Sequence, residues 1–209
     1  MVRLQISCQT AWVRLGLIGR STEPSVDPRL EVACIFVIMP RIFAGRYTAN
    51  LEEPFAVFLI GMRINQLWAL HKWIPTLLAM TPMLSTLFKN PGKGMLGAHT
   101  WVGWREVMVV QYWKSFDALE TFARAASEPH LPAWKAFNQR VGADGSVGIW
   151  HETYLVGAKQ YECVYGNMPR FGLANAGEHV AAVGNRETAR LRMGGKSEPA
   201  VPSPRNPAE

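Results

Sequence analysis

The sequence lacks any apolar run long enough to cross a membrane. A transmembrane helix needs roughly 18–20 consecutive apolar residues, and the longest run, from Phe55 to Met62, is only long enough for a strand. The sequence also has no glycine-rich phosphate loop, Walker sequence, zinc-ligand spacing or nucleophile elbow. We therefore expect no membrane partner and none of the enzyme classes that carry these motifs.

Cysteine is scarce as well. Cys8, Cys34 and Cys163 are the 3 cysteines of the chain, and their spacing differs from that of metal-ligating pairs. A small, odd number of cysteines gives no disulfide framework, which is typical of proteins kept in a reducing compartment. We therefore expect a cytoplasmic protein without a bound metal.

Clusters of basic residues are missing too. The chain has 22 lysines and arginines against 16 acidic residues, a net charge of +6 at pH 7, but the excess is spread thinly along it. Proteins that bind nucleic acid concentrate their basic residues on one face or in one run. The charge therefore indicates general solubility, and no nucleic-acid partner is expected.

What the sequence does contain is a patterned centre between two poorly patterned ends. Its hydrophobic content of 48% and charged content of 18% are typical of a globular protein. Residues 1–38 show no sustained period, so we expect an unstructured extension there. Residues 39–175 should form one domain. Residues 176–209 should be a mostly disordered tail, because Gly194 to Glu209 is rich in proline and poor in apolar side chains.

The centre alternates between strand and helix patterns. Phe55 to Ile64 is apolar at both alternating positions, as in a strand covered on both faces. The stretch from Asn65 to Phe88 has helical spacing, although Pro75 and Pro82 should divide it into two or three pieces. The segments that follow are strands over residues 96–105 and 106–114 with a hairpin near Gly103, a helix capped by Ser115, a short helix through Trp134 and Phe137, a strand over residues 147–156 and a further strand within residues 159–167.

This order predicts the fold class. A β-α-β-β-α-β sequence forms a ferredoxin-like α+β domain, with a four-stranded antiparallel sheet and both helices on one face. The other face should be open to water in a monomer, yet both sides of the strands are apolar: Val57 and Leu59 alternate with Phe58 and Ile60. An exposed patch of that kind needs a cover. We therefore expect a homodimer in which two sheets pack face to face.

Several segments resemble a bacterial and fungal family described only as monooxygenase-like, within the dimeric α+β barrel superfamily. The similar segments cover much of residues 39–173; they are residues 42–49 (IFAGRYTA), 57–65 (VFLIGMRIN), 68–75 (WALHKWIP), 149–156 (IWHETYLV) and 161–169 (YECVYGNMP). The resemblance implies a dimeric α+β barrel, in agreement with the apolar strands. It does not specify a reaction, because one fold hosts many activities.

Three functions remain open after this resemblance. The favoured one is a monooxygenase-like enzyme that needs no cofactor and acts on an apolar, aromatic or polyketide-like small molecule. The second is a haem enzyme of the same fold, similar to aldoxime dehydratases or peroxidases, with His71 or His130 as the iron ligand. The third is a dimeric protein that binds a small molecule without catalysis.

Two residues are the candidate catalytic groups. His151 shares one strand face with the apolar Ile149, so we expect it in a pocket, where a buried imidazole can act as a base; a core histidine bonded to the backbone is the alternative. Arg63 ends a strand and could hold a substrate carboxylate; a salt bridge to Glu106 or Glu152 is its alternative.

Further polar-tipped aromatic residues and histidines are candidates for substrate binding. His71 lies in an apolar helical stripe that should face the sheet, and Tyr154 lies on the strand face opposite His151. For each of these residues a structural role, in the core, the dimer interface or solvent, is the alternative. The full set of substrate-binding candidates is Trp68, His71, Trp101, Trp113, His130 and Tyr154.

Overall fold

The computed structural model describes residues 40–196. Its elements in chain order are β1 Phe43–Asn50, β2 Phe55–Ile64, α1 Leu70–Lys89, β3 Met95–Val102, β4 Glu106–Trp113, α2 Phe116–Arg124, α3 His130–Arg140, β5 Val147–Val156, β6 Tyr165–Met168, α4 Leu173–Ala176, β7 Glu178–Ala181 and α5 Ala189–Arg192, with short 3-10 turns at Pro91–Lys93 and Gly184–Arg186. The extension predicted for residues 1–38 lies outside the described residues, as does the end of the predicted tail.

The larger sheet confirms the predicted ferredoxin-like fold. Its strands pair antiparallel in the spatial order β3-β4-β2-β5, with α1 following β2 and the helices α2 and α3 following β4. The helices pack on one face, where Met83 and Leu87 of α1 and Phe122 of α2 surround Trp113 of β4. The predicted cap and hairpin are also present, since Ser115 Oγ accepts from the amide of Ala118 at 3.2 Å and residues 103 to 105 join β3 to β4.

The opposite face of the sheet is covered at one end by the C-terminal segment. Leu173 and Ala174 of α4 pack together with Val57 and Tyr112 of the sheet. Beyond this cover, within residues 40–196, the face remains open around Tyr154, which is 52% exposed. The two-sided apolar sheet is therefore present, and the single chain covers only part of its second face.

A second sheet of three strands corrects the predicted tail. Its order is β6-β1-β7, and β7 pairs with β1 from Tyr47 opposite Ala181 to Asn50 opposite Glu178. The prediction of a mostly disordered tail from residue 176 is therefore wrong for residues 178–192. Backbone pairing and an ion pair between Arg192 and Glu162 hold this segment, and its strand and helix are too short to leave a periodic pattern.

The longest helix, α1, runs without a break through both of its prolines. The predicted division into two or three pieces is therefore wrong. Pro75 and Pro82 cannot donate to the carbonyls of His71 and Leu78, four residues earlier, but both of these residues are exposed, so water can reach the freed carbonyls. Among the described helices, none is both long enough and apolar enough to span a membrane.

Candidate functional site

An apolar cavity lies between the helices and the sheet. We name it the helix–sheet cavity, and its volume is about 200 Å³. It is lined by Ile60, Gly61, Met62, Val107, Val109 and Ile149 from the sheet, by Pro75, Thr76, Leu77, Ala79, Met80 and Met83 from α1, and by His130, Ala133, Trp134, Ala136, Phe137 and Arg140 from α3. Such a lining suits a small, largely apolar ligand.

Three polar side chains interrupt this apolar lining. The hydroxyl of Thr76 donates to the carbonyl of Lys72 at 2.8 Å, a bond within its own helix. His130 and Arg140, the first and last residues of α3, are the other two. Of the lining residues, His130 can accept a proton and Arg140 can bind a negatively charged group.

The hydrogen bond of His130 determines which of its nitrogens is free. Its Nδ1 lies 3.1 Å from the carbonyl oxygen of Ala123. A carbonyl can only accept, so Nδ1 must carry the proton, and in the neutral ring Nε2 then holds the lone pair. This arrangement is suitable for a general base beside an apolar cavity.

A second cleft adjoins the cavity and contains His151. This cleft has a volume of about 410 Å³ and shares Ile60, His130, Trp134 and Ile149 with the helix–sheet cavity. The ring of His151 lies 5.7 Å from that of Phe58. The structure thus brings His151 and His130 to one cleft, but His151 is exposed in the single chain and not enclosed in a dry pocket as predicted.

The remaining sequence candidates on the sheet lie outside the cavity. Arg63 forms an exposed ion pair with its cross-strand partner Glu106, which was the alternative to substrate binding. On the open face, the Tyr154 hydroxyl donates to Glu152 at 2.6 Å, and Trp101 is half-exposed. None of these side chains lines the helix–sheet cavity.

Three further candidates are placed differently from the prediction. His71 was expected to face the sheet but is exposed on the outer side of α1, because the inner side is occupied by residues such as Met83 and Leu87. Trp68 precedes the helix and is 79% exposed. Trp113 is fully buried in the core, where its indole donates to Gln111 at 2.9 Å, and it lines neither the helix–sheet cavity nor the adjoining cleft.

Arg140 and most of the other residues that line the helix–sheet cavity were not predicted from the sequence. Thr76, Met80 and Met83 follow a spacing of four and three residues, and Ala133, Ala136 and Arg140 of α3 follow a similar spacing. Each set therefore lies on one side of its helix. This periodic signal is present in the sequence, but the prolines of α1 and the small alanines of α3 obscure it.

The helix–sheet cavity by itself is too small for a haem, although His130 also borders the adjoining cleft of about 410 Å³. His71, one of the two predicted ligands, lies away from the cavity. His130 has the free Nε2 that an iron ligand needs, but the cavity of about 200 Å³ is smaller than the roughly 300–1,000 Å³ of pockets for drug-sized ligands, and a tetrapyrrole is larger than many of these. Within residues 40–196, no group of histidine, cysteine and acidic side chains could hold a metal ion.

A polar cluster lies behind the opposite face of the sheet. Burial raises the pKa of the phenols of Tyr112, Tyr161 and Tyr165, and the nearby Cys163 contributes in the same direction. Tyr161 accepts from the amide of Leu51 at 2.6 Å and donates to its carbonyl at 3.1 Å. These neutral phenols hold the smaller sheet against the larger one, away from the cavity.

Comparison with known protein families agrees with the sequence resemblance. Residues 55–173 match the family described as monooxygenase af470-like. The chain belongs to this family. The matched range runs from the start of β2 to the start of α4 and contains every residue of the helix–sheet cavity. The monooxygenase-like family predicted from the sequence is thus confirmed.

Solved structures with a similar fold include enzymes of several kinds. An aldoxime dehydratase has 16% identity and a TM-score of 0.49 over 66% of this chain, which spans only 43% of that enzyme. SnoaB, a cofactor-independent oxygenase from Streptomyces nogalater, has 11% identity and a TM-score of 0.35, covering 48% of this chain and 90% of its own. The hydroxynitrile lyase of Passiflora edulis has 14% identity and a TM-score of 0.31, covering 51% and 96%. No curated protein matches the sequence.

Proposed function

We propose that the protein is a monooxygenase-like enzyme that oxidises an apolar, aromatic or polyketide-like small molecule in the helix–sheet cavity. The observation that carries the proposal is a cavity with an apolar lining and one lining histidine whose Nε2 holds the lone pair in the neutral ring. Membership of the monooxygenase af470-like family supports the reaction class. In this proposal His130, rather than His151, is the catalytic base.

The proposed reaction needs no external reductant, because the substrate supplies the electrons. Nε2 of His130 removes a proton from an acidic methylene of the substrate, and the resulting carbanion adds molecular oxygen to give a peroxide anion. This anion takes the proton back from Nε2, which forms a hydroperoxide and restores the neutral histidine. The hydroperoxide loses water to leave a carbonyl group. One oxygen atom of O2 enters the product and the other leaves as water. The bond from Nδ1 to the carbonyl of Ala123 fixes the ring and its tautomer throughout.

We also propose that the enzyme works as a homodimer in the cytoplasm. A partner sheet would cover the part of the second face that the C-terminal segment leaves open around Trp101 and Tyr154, both about half-exposed. A stable interface of that kind buries about 1,000 Å² or more. The cytoplasmic location rests on the low number of cysteines.

Anthrone provides a direct test of the proposed reaction. It is a tricyclic ketone with an acidic methylene group, and its oxidation consumes one O2 and releases one water to give anthraquinone. We expect the purified protein, without added cofactor, to accelerate oxygen uptake and anthraquinone formation. The variant His130→Asn should lose on the order of 10²-fold in rate or more, as expected for removal of a general base.

His151→Asn is the matched control, because it makes the same replacement in the adjoining cleft. It should reduce the rate less than His130→Asn does. A larger loss of rate in His151→Asn than in His130→Asn would show that His151 is the base. Binding of anthrone without any acceleration of oxygen uptake would favour the non-catalytic binding protein instead.

A further inference from the structure

Arg140 is the one cationic side chain among the residues that line the helix–sheet cavity. Within residues 40–196, its side chain forms none of the ion pairs, whereas Arg63, Lys72, Lys93, Arg124 and Arg192 each pair with a carboxylate. The dipole of α3 favours a cation at its last residue. This structural reason explains a positive charge at the helix end, but it does not require the side chain to line an apolar cavity.

His130 and Arg140 mark the two ends of the cavity along α3. They are ten positions apart in the helix, so their Cα atoms are about 15 Å apart at the rise of an α-helix. The imidazole of His130 and the guanidinium of Arg140 can lie closer together than the two Cα atoms. Between them, α3 contributes Ala133, Trp134, Ala136 and Phe137, which are small or largely apolar. The cavity therefore has a base at one end, a cation at the other and an apolar middle suited to fused rings.

We propose that Arg140 determines specificity by binding an anionic oxygen of the substrate at the end of the cavity remote from His130. The inference rests on the proposed function and narrows its substrate to an apolar ring system with a carboxylate, phenolate or enolate at one end. A guanidinium can donate two parallel hydrogen bonds to such a group. The apolar lining strengthens this interaction, because little water competes for the charges.

Two coloured ligands of nearly equal shape test the inference. Lawsone, a hydroxynaphthoquinone, is an enolate anion near neutral pH, and its methyl ether is neutral. Titration calorimetry measures the Kd of both with the natural protein, with Arg140→Met and with Lys135→Met, which removes an exposed charge from the same helix. We expect Arg140→Met to weaken lawsone binding about 10- to 100-fold, the range for a hydrogen bond to a charged group. The Kd of the ether should change less than about threefold, and Lys135→Met should alter neither Kd.

Ala136→Phe separates failure of this inference from failure of the proposed function. Its phenyl ring should fill the cavity and abolish binding of both ligands. If Ala136→Phe abolishes binding but Arg140→Met leaves the preference for lawsone unchanged, the role of Arg140 is refuted and the cavity remains the binding site. If neither ligand binds, or if both still bind to Ala136→Phe, both proposals fail. Circular dichroism verifies folding, and Arg140→Gln replaces Arg140→Met if that variant does not fold.

Discussion

The packing of Gly61 against Trp150 makes a quantitative prediction about the central strand. Gly61 lies in β2 directly opposite Trp150 of β5, on the face of the sheet away from the helices. A Cβ atom added at Gly61 would lie 2.6 to 2.7 Å from three atoms of the indole ring. Carbon atoms in contact prefer about 3.5–4.0 Å, so Gly61→Ala overlaps the ring by roughly 1 Å.

The cost of this overlap depends on whether either partner can move. β2 pairs with β4 on one side and with β5 on the other, so its backbone is held from both sides. Overpacking of a well-packed site costs about 1–3 kcal/mol, while replacing glycine by alanine recovers about 0.4–1 kcal/mol through the unfolded chain. We therefore expect Gly61→Ala to lower the free energy of unfolding by about 1–2 kcal/mol.

A double-mutant cycle isolates the contact. Urea unfolding at one protein concentration gives the free energy of unfolding for the natural chain, Gly61→Ala, Trp150→Ala and the double variant. With the indole removed, Gly61→Ala should become neutral or slightly stabilising. An equal cost of Gly61→Ala in both backgrounds would show that Trp150 does not lie on Gly61. The assignment of Ile149 and His151 to the helix side of the sheet would then be wrong as well.

Two further predictions concern the buried aromatic residues. Because burial raises the pKa of Tyr112 and Tyr165 above the usual phenol value, the folded state keeps these protons longer than the unfolded chain. Their contribution to the free energy of unfolding should therefore be fully present below about pH 10 and be lost as the pH rises above it. Urea unfolding at increasing alkaline pH should show a shallower fall of this free energy in the double variant Tyr112→Phe, Tyr165→Phe. An equal fall in both proteins would contradict the raised pKa of these phenols. Trp113→Ala should lower the free energy of unfolding by about 3–5 kcal/mol, because the side chain is fully buried. Trp113→Phe should still bind anthrone. Loss of that binding in a folded Trp113→Phe would support the predicted role of Trp113 in substrate binding.

Local patterns were sufficient to predict the ferredoxin-like fold. The apolar strand at Phe55–Ile64, the Ser115 cap and the hairpin near Gly103 are each determined by a few neighbouring residues, and all three are present. The continuity of α1 could not be predicted in this way. It depends on water reaching the carbonyls opposite Pro75 and Pro82, which depends in turn on the side of the helix that faces the sheet.

The site was harder to predict, because a histidine shows its role only through its partners. His151 was predicted as a buried base because it is a polar residue in an apolar strand, but it is exposed in the single chain. His130 was predicted only as a substrate-binding residue or haem ligand, because its bond to the carbonyl of Ala123 joins residues seven positions apart at a helix start and leaves no sequence pattern. Arg140 resembles any basic residue at the end of a helix until α3 is placed against the sheet.

A crystal structure with anthrone bound in the absence of oxygen tests the central claim most directly. Without oxygen the ligand cannot turn over, so its position is that of the reacting complex. The proposed function predicts anthrone in the helix–sheet cavity, packed against Phe137, with its methylene carbon about 3–3.5 Å from Nε2 of His130. Anthrone on the open sheet face beside Trp101 and Tyr154, with the helix–sheet cavity free of it, would contradict the claim.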